Sequence, residues 1–355
     1  MRINDLKEIL EDKKLDFAMF YTLDSEKANP NMIYFSGYSG IGALIIPKRQ
    51  NPFIIAPEME FEKAKQSKIK VFPMEKKKFF ESINSVVKKN KVRSKRTAID
   101  YNNFTLNTYK YFKKQFKNIK TKDISLECLK LRQIKTDKET EIIKKSCNYA
   151  SAILKKAINS FKDFKTEAEV AAFLNYETNR LGLVTAFEPI VASGSNGSIP
   201  HYAPKNTRLK RGFCFIDFGV KYKGYCSDIT RTIYLGNASK KEREIYNFLL
   251  KIQQEIIDNA RINDRCGKTY DNCVKSLKEY SKYFIHGLGH GVGVEIHELP
   301  SLSLNSKDKI AENMAFTIEP GIYLPKRFGI RIEDTILMRK KTEILTSVAK
   351  DLLII

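Results

Sequence analysis

The sequence of 355 residues predicts an α/β domain over residues 1–124 and an α+β domain over residues 125–355, the second built from two similar halves. Short apolar runs alternate with helix-like stretches up to about residue 123, and pairs of helices take over near residue 125. Within this second region, two helices followed by a long strand-rich stretch occur twice. A chain of this length also exceeds the usual size of a single hydrophobic core, which agrees with two domains.

The first domain is predicted from the position of its apolar runs. The strand candidates are "FAMFY", "MIYFSGY", "ALIIP", "PFIIAP", "KVFPM" and "TAID". Helix-like stretches lie between them, at 58–67, 78–89 and 105–116. This alternation is typical of helices that pack on a sheet.

Each half of the second domain is predicted to begin with two helices. The helices are expected at about 137–160, 166–181, 240–260 and 268–281. Capping-box spacing marks three of their starts, in the pairs Thr136 with Glu139, Thr166 with Glu169, and Ser239 with Glu242. The strand-rich stretches that follow are "RGFCFIDFGVKYKGYCSDITRTIYL" and "AFTIEPGIYLPKRFGIRIEDTILM".

The first strand-rich stretch is predicted to form a hairpin with two aspartates on one face. A turn centred between Tyr222 and Lys223 sets Asp217 directly opposite Asp228.

The second stretch is predicted to repeat this arrangement with two glutamates. A turn centred on Lys326 sets Glu319 opposite Glu333, although Pro320 and Gly321 are expected to disturb the strand there.

Paired carboxylates on otherwise apolar strands require a compensating positive charge. Two of them a few Å apart repel by roughly 3–4 kcal/mol at an effective dielectric constant of about 20, before desolvation is counted. Two divalent cations would neutralise four ionised carboxylates, whereas one would leave half of the charge. Exposed strand faces, or ion pairs with the many lysines, are the alternative for each pair taken alone.

The histidines are concentrated in one glycine-rich stretch. Three of the four lie in "HGLGHGVGVEIHE", residues 286–298, and the fourth is His201 in "VASGSNGSIPHY". His286 and His290 have the spacing of a helical metal-binding pair, but the glycines between and after them disfavour a helix. We therefore expect extended, bent backbone there, with His290 turned toward the carboxylates.

Five motifs carry a resemblance to a known family. "VASGSNGSIPHY", "DFGVKYKGYCSDITRT", "HGLGHGVGVEIHE", "TIEPGIY" and "GIRIED" resemble those of the pita-bread metallopeptidases, which include aminopeptidase P, prolidase and methionine aminopeptidase. Residues 1 to about 124 are similar to the N-terminal domain of the creatinase, prolidase and aminopeptidase P branch. The second domain is therefore expected to be a pita-bread catalytic domain.

By matching positions, the resemblance implies a full set of site residues. The implied metal ligands are Asp217, Asp228, His290, Glu319 and Glu333. Substrate contacts are expected from His201, His286 and His297. Two divalent ions are implied, with Mn²⁺ favoured by the resemblance and Co²⁺, Fe²⁺ or Zn²⁺ remaining open on ligand type.

The same resemblance implies the catalytic roles. Glu319 is the expected general base and proton carrier, and His201 and His297 are placed to hydrogen-bond the oxyanion or the scissile amide. Arg331 shares a strand face with Glu333 and is expected to brace the ligands, with an ordinary salt bridge as the alternative.

The resemblance of the N-terminal domain to that of the prolidase and aminopeptidase P branch implies peptides with proline in the second position. We expect a cytoplasmic metal-dependent Xaa-Pro aminopeptidase, with the strict dipeptidase, prolidase, as the alternative. A dipeptidase needs a cation for the proline carboxylate, and Lys326 or Arg327 is the candidate. A methionine aminopeptidase and a non-catalytic binding module are the remaining alternatives, and family members commonly form homodimers.

Composition bears on partners and compartment. The formal charge is +22, but the lysines are spread along the chain without a basic-aromatic motif, so a lysine-rich solvated surface is expected rather than a nucleic-acid partner. The six cysteines form no C-x-x-C pair and are expected to be reduced. No segment is apolar for the roughly 18 residues that a membrane helix needs, so no membrane association is expected.

Overall fold

The computed structural model describes residues 2–355, which form two compact units. The first unit ends at Arg132 and the second covers Gln133–Ile355. The division falls a few residues after the predicted boundary because helix Ser125–Gln133 belongs mostly to the first unit, where Glu127 pairs with Lys13 at 2.6 Å. No helix among residues 2–355 is long and apolar enough to cross a membrane.

The first unit contains one six-stranded sheet with helices around it. Its strands are β1 Phe17–Thr22, β2 Gly42–Pro47, β3 Phe53–Ala56, β4 Lys70–Pro73, β5 Arg96–Ile99 and β6 Lys120–Asp123, in the order β4-β3-β2-β1-β5-β6. Its helices are α1 Ile3–Asp12, α2 Pro30–Ser36, α3 Phe61–Lys65, α4 Phe79–Lys89, α5 Leu106–Gln115 and α6 Ser125–Gln133. Only β2 runs against the other strands.

One strand prediction in this unit is wrong, because "MIYFSGY" lies largely in α2. Pro30 occupies the first turn, and the Asn29 side chain accepts hydrogen bonds from the backbone N–H groups of Asn31 and Met32. An Asn cap followed by proline is a helix start, and it outweighs the β preference of the aromatic residues that follow.

The second unit begins with two helices that cover a small sheet, as predicted. They are α7 Asp137–Asn159 and α8 Glu167–Arg180, and all three predicted capping boxes form. The strands of this half are β7 Val184–Thr185, β8 Ile190–Ser193, β9 Gly212–Phe218, β10 Val220–Tyr222, β11 Tyr225–Cys226 and β12 Ile229–Leu235. Apolar side chains of α7 and α8 pack in one core with those of β9 and β12.

The other half repeats this layout. Its helices are α9 Lys240–Asn259 and α10 Cys266–Ser276. Its strands are β13 Gly289–Gly291, β14 Glu298–Leu302, β15 Ala315–Ile318, β16 Gly321–Leu324, β17 Phe328–Arg331, β18 Asp334–Met338 and β19 Thr342–Ile344. A core formed by α9, α10 and strands β15 and β18 is the largest in this half. The two similar halves confirm the predicted α+β architecture.

The first hairpin has a different register from the predicted one. Asp217 pairs with Thr230, and Tyr222 pairs with Tyr225 across a turn at Lys223 and Gly224, whose φ angles are 48° and 84°. Two positive φ angles are the geometry of a two-residue type I′ turn, which moves the centre by one residue. Asp228 is therefore diagonal to Asp217 rather than opposite it. The residue opposite Asp217 is Thr230 instead of Asp228, a change of two positions, so both carboxylates remain on one face of the hairpin.

The second hairpin has the predicted register. Gly321 pairs with Arg331, and the same alignment continues beyond the gap, where Ile318 pairs with Asp334. Glu319 and Glu333 fall opposite each other in the gap between these paired segments. The irregularity expected at Pro320 therefore separates two short strands and leaves both glutamates at the break.

We predict that Ser239→Ala lowers the stability of the chain by about 1 kcal/mol, because it removes the acceptor for the Glu242 N–H at the start of α9. Urea unfolding followed by circular dichroism measures the change. Ser276→Ala, at the end of α10, is the control because the hydroxyl of that half-buried serine makes no hydrogen bond within residues 2–355. Equal midpoints for the two variants would contradict the capping role.

Candidate metal centre

All nine candidate site residues line one cavity of the second unit, with a volume of about 950 Å³. They are Asp217, Asp228, Glu319, Glu333, Arg331, His201, His286, His290 and His297. Each hairpin contributes two carboxylates. Asp217 lies within β9, whereas Asp228, Glu319 and Glu333 lie in the gaps between paired strands. The structure thus brings together residues that lie up to 132 positions apart in the sequence.

The carboxylates and one imidazole form a compact group. Nε2 of His290 lies 3.6 Å from Oδ2 of Asp228 and 3.4 Å from Oε1 of Glu319. One potential ligand atom each from Asp228, His290 and Glu333 lies within 4.8 Å of the other two. This spacing is suited to a shared cation.

Glycines allow the histidine strand to reach this position. The backbone around His290 is extended, as expected, in the short strand β13 between β14 and β15. A Cβ on Gly289 would collide with the carbonyl oxygen of Thr317, and a Cβ on Gly291 with that of Leu299. Both glycines are therefore needed where the neighbouring backbones approach closely.

The carboxylates are buried, which makes their mutual repulsion severe. Asp228 is 5% exposed and Glu333 is 1% exposed. Burial, and then the charge of Glu333, raise the pKa of Asp228 well above its usual range. Burial also raises the pKa of Glu319, and that of Glu333 rises strongly through burial and the charge of Glu319. Protons or bound cations are required to hold such a cluster together.

Two buried oxygens show where cations fit. Oδ1 of Asp217 and Oδ1 of Asp228 have no hydrogen-bond partner within residues 2–355. Buried carboxylate oxygens are normally paired or coordinate a metal. Four carboxylates and one imidazole are an oxygen-rich donor set, which suits divalent ions such as Mn²⁺. The residues present therefore fit the two divalent ions expected from the sequence.

Arg331 links several members of the site. Its Nη2 donates to Oδ2 of Asp217 at 2.5 Å and its Nη1 to the hydroxyl of Tyr323 at 2.7 Å. Its Nε donates to the hydroxyl of Thr230, which in turn donates to Oε2 of Glu333 at 2.7 Å. The guanidinium thus fixes carboxylates from both hairpins, which is more than the ordinary salt bridge considered as its alternative.

Tyr323 connects Arg331 to one of the histidines. Nδ1 of His286 lies 2.7 Å from the carbonyl oxygen of Gly287, so this nitrogen carries the proton and donates. The Tyr323 hydroxyl then donates to Nε2 of His286 over 2.9 Å. His286 is held from both sides at the cavity wall.

The remaining two histidines are exposed in the cavity. The ring of His297 lies edge-on to that of His290, with 4.3 Å between centroids. Burial and the neighbouring imidazoles lower the pKa of His297 to about 4, so its ring is neutral at pH 7. His201 also lines the cavity with an exposed side chain. Both can donate hydrogen bonds to a bound molecule.

The sequence did not single out three side chains that support the ligands. Tyr323 and Thr230 belong to the network described above, and Thr317 accepts from the His290 N–H and donates to Oε1 of Glu319. Thr230 and Thr317 lie two positions from Asp228 and Glu319. Strand alternation puts such residues on the same face as the carboxylates, and this signal was present in the sequence.

Two cations considered for a substrate carboxylate do not reach the site. Lys326 and Arg327 are exposed at the hairpin tip, and neither lines the cavity. Within residues 2–355, Arg331 is the only lysine or arginine that does.

Comparison with known proteins identifies both units. The model of metallopeptidase family M24 matches residues 141–340, and that of the creatinase/prolidase N-terminal domain matches residues 2–134. The Xaa-Pro dipeptidase of Pyrococcus furiosus is 37% identical over 361 aligned residues, which cover 99% of each chain.

Solved structures give the same result. The prolidase of Pyrococcus horikoshii superposes with a TM-score of 0.89 at 32% identity, covering 99% of each chain. The X-Pro aminopeptidase of Thermotoga maritima superposes with a TM-score of 0.88 at 28% identity, covering 96% of this chain and 98% of that one. These likenesses confirm the predicted pita-bread fold.

We predict that Asp228→Asn weakens the binding of at least one divalent ion, because it removes a buried negative charge from the centre of the cluster. Isothermal titration with Mn²⁺ should give two sites in the parent chain and fewer, or much weaker, sites in the variant. Asp271→Asn, at an exposed aspartate of α10, is the charge-matched control. Two unchanged sites in Asp228→Asn would show that the ligand assignment is wrong.

Proposed function

We propose that this chain, which belongs to metallopeptidase family M24, is a prolidase that hydrolyses the Xaa-Pro bond of dipeptides. The buried carboxylate cluster at the cavity carries the proposal that the reaction is metal-dependent hydrolysis. Similarity to the Xaa-Pro dipeptidase of Pyrococcus furiosus along 99% of both chains supports the substrate class. Longer Xaa-Pro peptides, favoured by our sequence interpretation, become the second candidate, which the likeness to the Thermotoga maritima aminopeptidase supports.

The proposed ligands are Asp217, Asp228, His290, Glu319 and Glu333. Two divalent ions, which we propose to be Mn²⁺, would supply a water of lowered pKa and polarise the scissile carbonyl. The chain itself orients the donors. Arg331 fixes one oxygen of Asp217, and Thr230 fixes one oxygen of Glu333, so the remaining oxygens keep their direction.

Glu319 is the proposed proton carrier. The Thr317 hydroxyl donates to Oε1 of Glu319 at 3.2 Å and keeps the carboxylate in place at the cavity. A group that accepts a proton from the attacking water can return it to the proline nitrogen, which is a poor leaving group until it is protonated.

His297 and His201 are the proposed donors to the substrate. The neutral ring of His297 offers one N–H at pH 7, and the exposed side chains of both histidines line the cavity. A donor aimed at the oxygen of the scissile amide bonds more strongly as negative charge develops there.

We predict faster release of proline from Ala-Pro than from the tripeptide Ala-Pro-Ala, and no release of methionine from Met-Ala-Ser. The Mn²⁺-loaded chain is incubated with each peptide and the free amino acids are quantified. A preference for Ala-Pro-Ala would favour the aminopeptidase, and turnover of Met-Ala-Ser alone would refute Xaa-Pro specificity.

We also predict that substitution of His290 and of His297, whose rings are in contact, removes different properties of the site. His290→Ala should lose bound metal, whereas His297→Ala should keep it and lose about 10²–10³ in kcat, because only a transition-state contact is removed. Metal analysis beside steady-state kinetics on Ala-Pro separates the two. Loss of metal in His297→Ala, or parental turnover, would contradict this division of roles.

A further inference from the structure

The basic residues of the first unit are concentrated in one segment. Residues 68–122 contain 17 lysines and arginines but only three acidic residues, Glu75, Glu81 and Asp100. The segment covers β4, α4, β5, α5 and β6, whose strands lie at both edges of the sheet. The cations are spread over 55 residues of sequence, and only the fold shows which of them lie close together.

The topology places the beginnings of several strands at one end of the sheet. Strands β3 and β4 are parallel, as are β1, β5 and β6, and β2 lies antiparallel between β1 and β3. All strands except β2 therefore start at the same end. Helices α4 and α5 return from the far end of the sheet to the start of the next strand, so their C-termini also lie here. We call this the basic end.

The connection from α4 into β5 supplies the first group of cations. Four of its exposed side chains form no ion pair within residues 2–355, namely Lys88, Lys91, Lys95 and Arg96. Two more are neutralised, since Lys89 pairs with Glu75 at 2.7 Å and Arg93 with Asp16 at 3.3 Å.

The neighbouring elements add a second group. Lys114, Lys117 and Lys120 end α5 and begin β6, whose first residue pairs with Arg96 in the parallel ladder. At the opposite edge of the sheet, a cavity of about 470 Å³ is lined by Lys68, Lys70 and the amide side chain of Asn90. The cations therefore extend across the width of the sheet.

Carboxylates offset little of this charge. Asp16 accepts from the backbone N–H groups of Lys95 and Arg96, and Glu11 pairs with Lys48 at 3.0 Å. Lysines at helix C-termini complement the helix dipole, and this accounts for Lys88 and Lys114. It does not account for the cations in the loops or at the starts of the strands. The far end of the sheet is different, because Asp24, Glu58 and Asp100 follow the ends of β1, β3 and β5, and Asp123 is the last residue of β6.

We propose that the basic end binds the phosphate backbone of double-stranded nucleic acid without reading its sequence. Six strands spaced by about 4.8 Å give a width of about 24 Å, over which a duplex presents about 14 phosphate charges. This partner replaces our expectation from the sequence, which judged the lysines by their spacing along the chain. The proposal is independent of the peptidase function, because the basic end contains none of the residues that line the cavity of the candidate metal centre.

The distribution of apolar residues favours nucleic acid over a membrane surface. The exposed large hydrophobic residues of the described first unit are Leu23, Met59, Tyr101, Leu106 and Leu126. All of them follow strand ends or begin α5 or α6, and so lie at the far end of the sheet. Membrane-surface binding normally combines cations with inserted apolar side chains, which the basic end lacks.

The experiment uses a variant with four lysines changed to glutamine, Lys88, Lys95, Lys114 and Lys117, none of which makes a side-chain hydrogen bond or ion pair within residues 2–355. A control with the same charge change replaces four exposed lysines of the second unit, Lys155, Lys240, Lys268 and Lys275. Fluorescence anisotropy measures binding to fluorescein-labelled DNA and RNA duplexes over a range of KCl concentrations. Hydrolysis of Ala-Pro is measured in parallel and should not change in the basic-end variant.

The parent and the control should bind duplexes of unrelated sequence equally well, and the basic-end variant should bind about tenfold more weakly or worse. Its slope of log K against log[KCl] should be smaller in magnitude by about 3–4, since each lost phosphate contact removes about 0.9. Absence of duplex binding by the parent would overturn the proposal, as would an equal loss in the control. Tighter binding to vesicles of phosphatidylglycerol and phosphatidylcholine than to duplexes would overturn it in favour of a membrane surface.

Discussion

The repulsion among four buried carboxylates is the constraint on which the second unit depends. Asp217, Asp228, Glu319 and Glu333 come from two hairpins. Asp217 lies within β9, and the other three lie where strand pairing is interrupted. Burial raises the pKa of Asp228 and Glu333, so the ionised cluster is unstable without added positive charge. Arg331 supplies one such charge, and bound divalent ions would supply the rest. The hairpins, the arginine and the glycine-rich strand are arranged so that these charges can meet.

Much of this fold could be predicted from the sequence because the signals were local. The three capping boxes fixed the starts of α7, α8 and α9, and the turn at Lys326 fixed the register of the second hairpin. Two predictions failed, the register of the first hairpin and the strand after Pro30, because a turn or a helix start in the sequence had not been recognised. The Lys223-Gly224 turn moved the first register by two positions, and the Asn29-Pro30 helix start overrode the β preference of the residues after it. An even shift of register preserves the face, so the grouping of the two aspartates survived the error.

The sequence predicted the candidate ligands and catalytic residues, but it did not predict the side chains that hold them in place. Motif resemblance pointed to all nine candidate residues, and the fold brings them to one cavity. Tyr323 and the two threonines went unnoticed, because hydroxyl residues on a strand are common and only a three-dimensional arrangement shows which carboxylate they contact. The basic end escaped prediction for a related reason. Parallel strands bring together loops such as 90–95 and 117–119, which lie far apart in the chain.

Anomalous diffraction at the manganese edge, from crystals grown with Mn²⁺, tests most directly whether this cluster is a dinuclear metal centre. Two strong anomalous peaks are predicted in the cavity, at coordination distance from the four carboxylates and His290, with the Asp217 and Asp228 oxygens that now have no partner turned toward them. A single peak in the cavity, or peaks only outside it, would contradict the account, because fewer than two cations would then neutralise the four carboxylates.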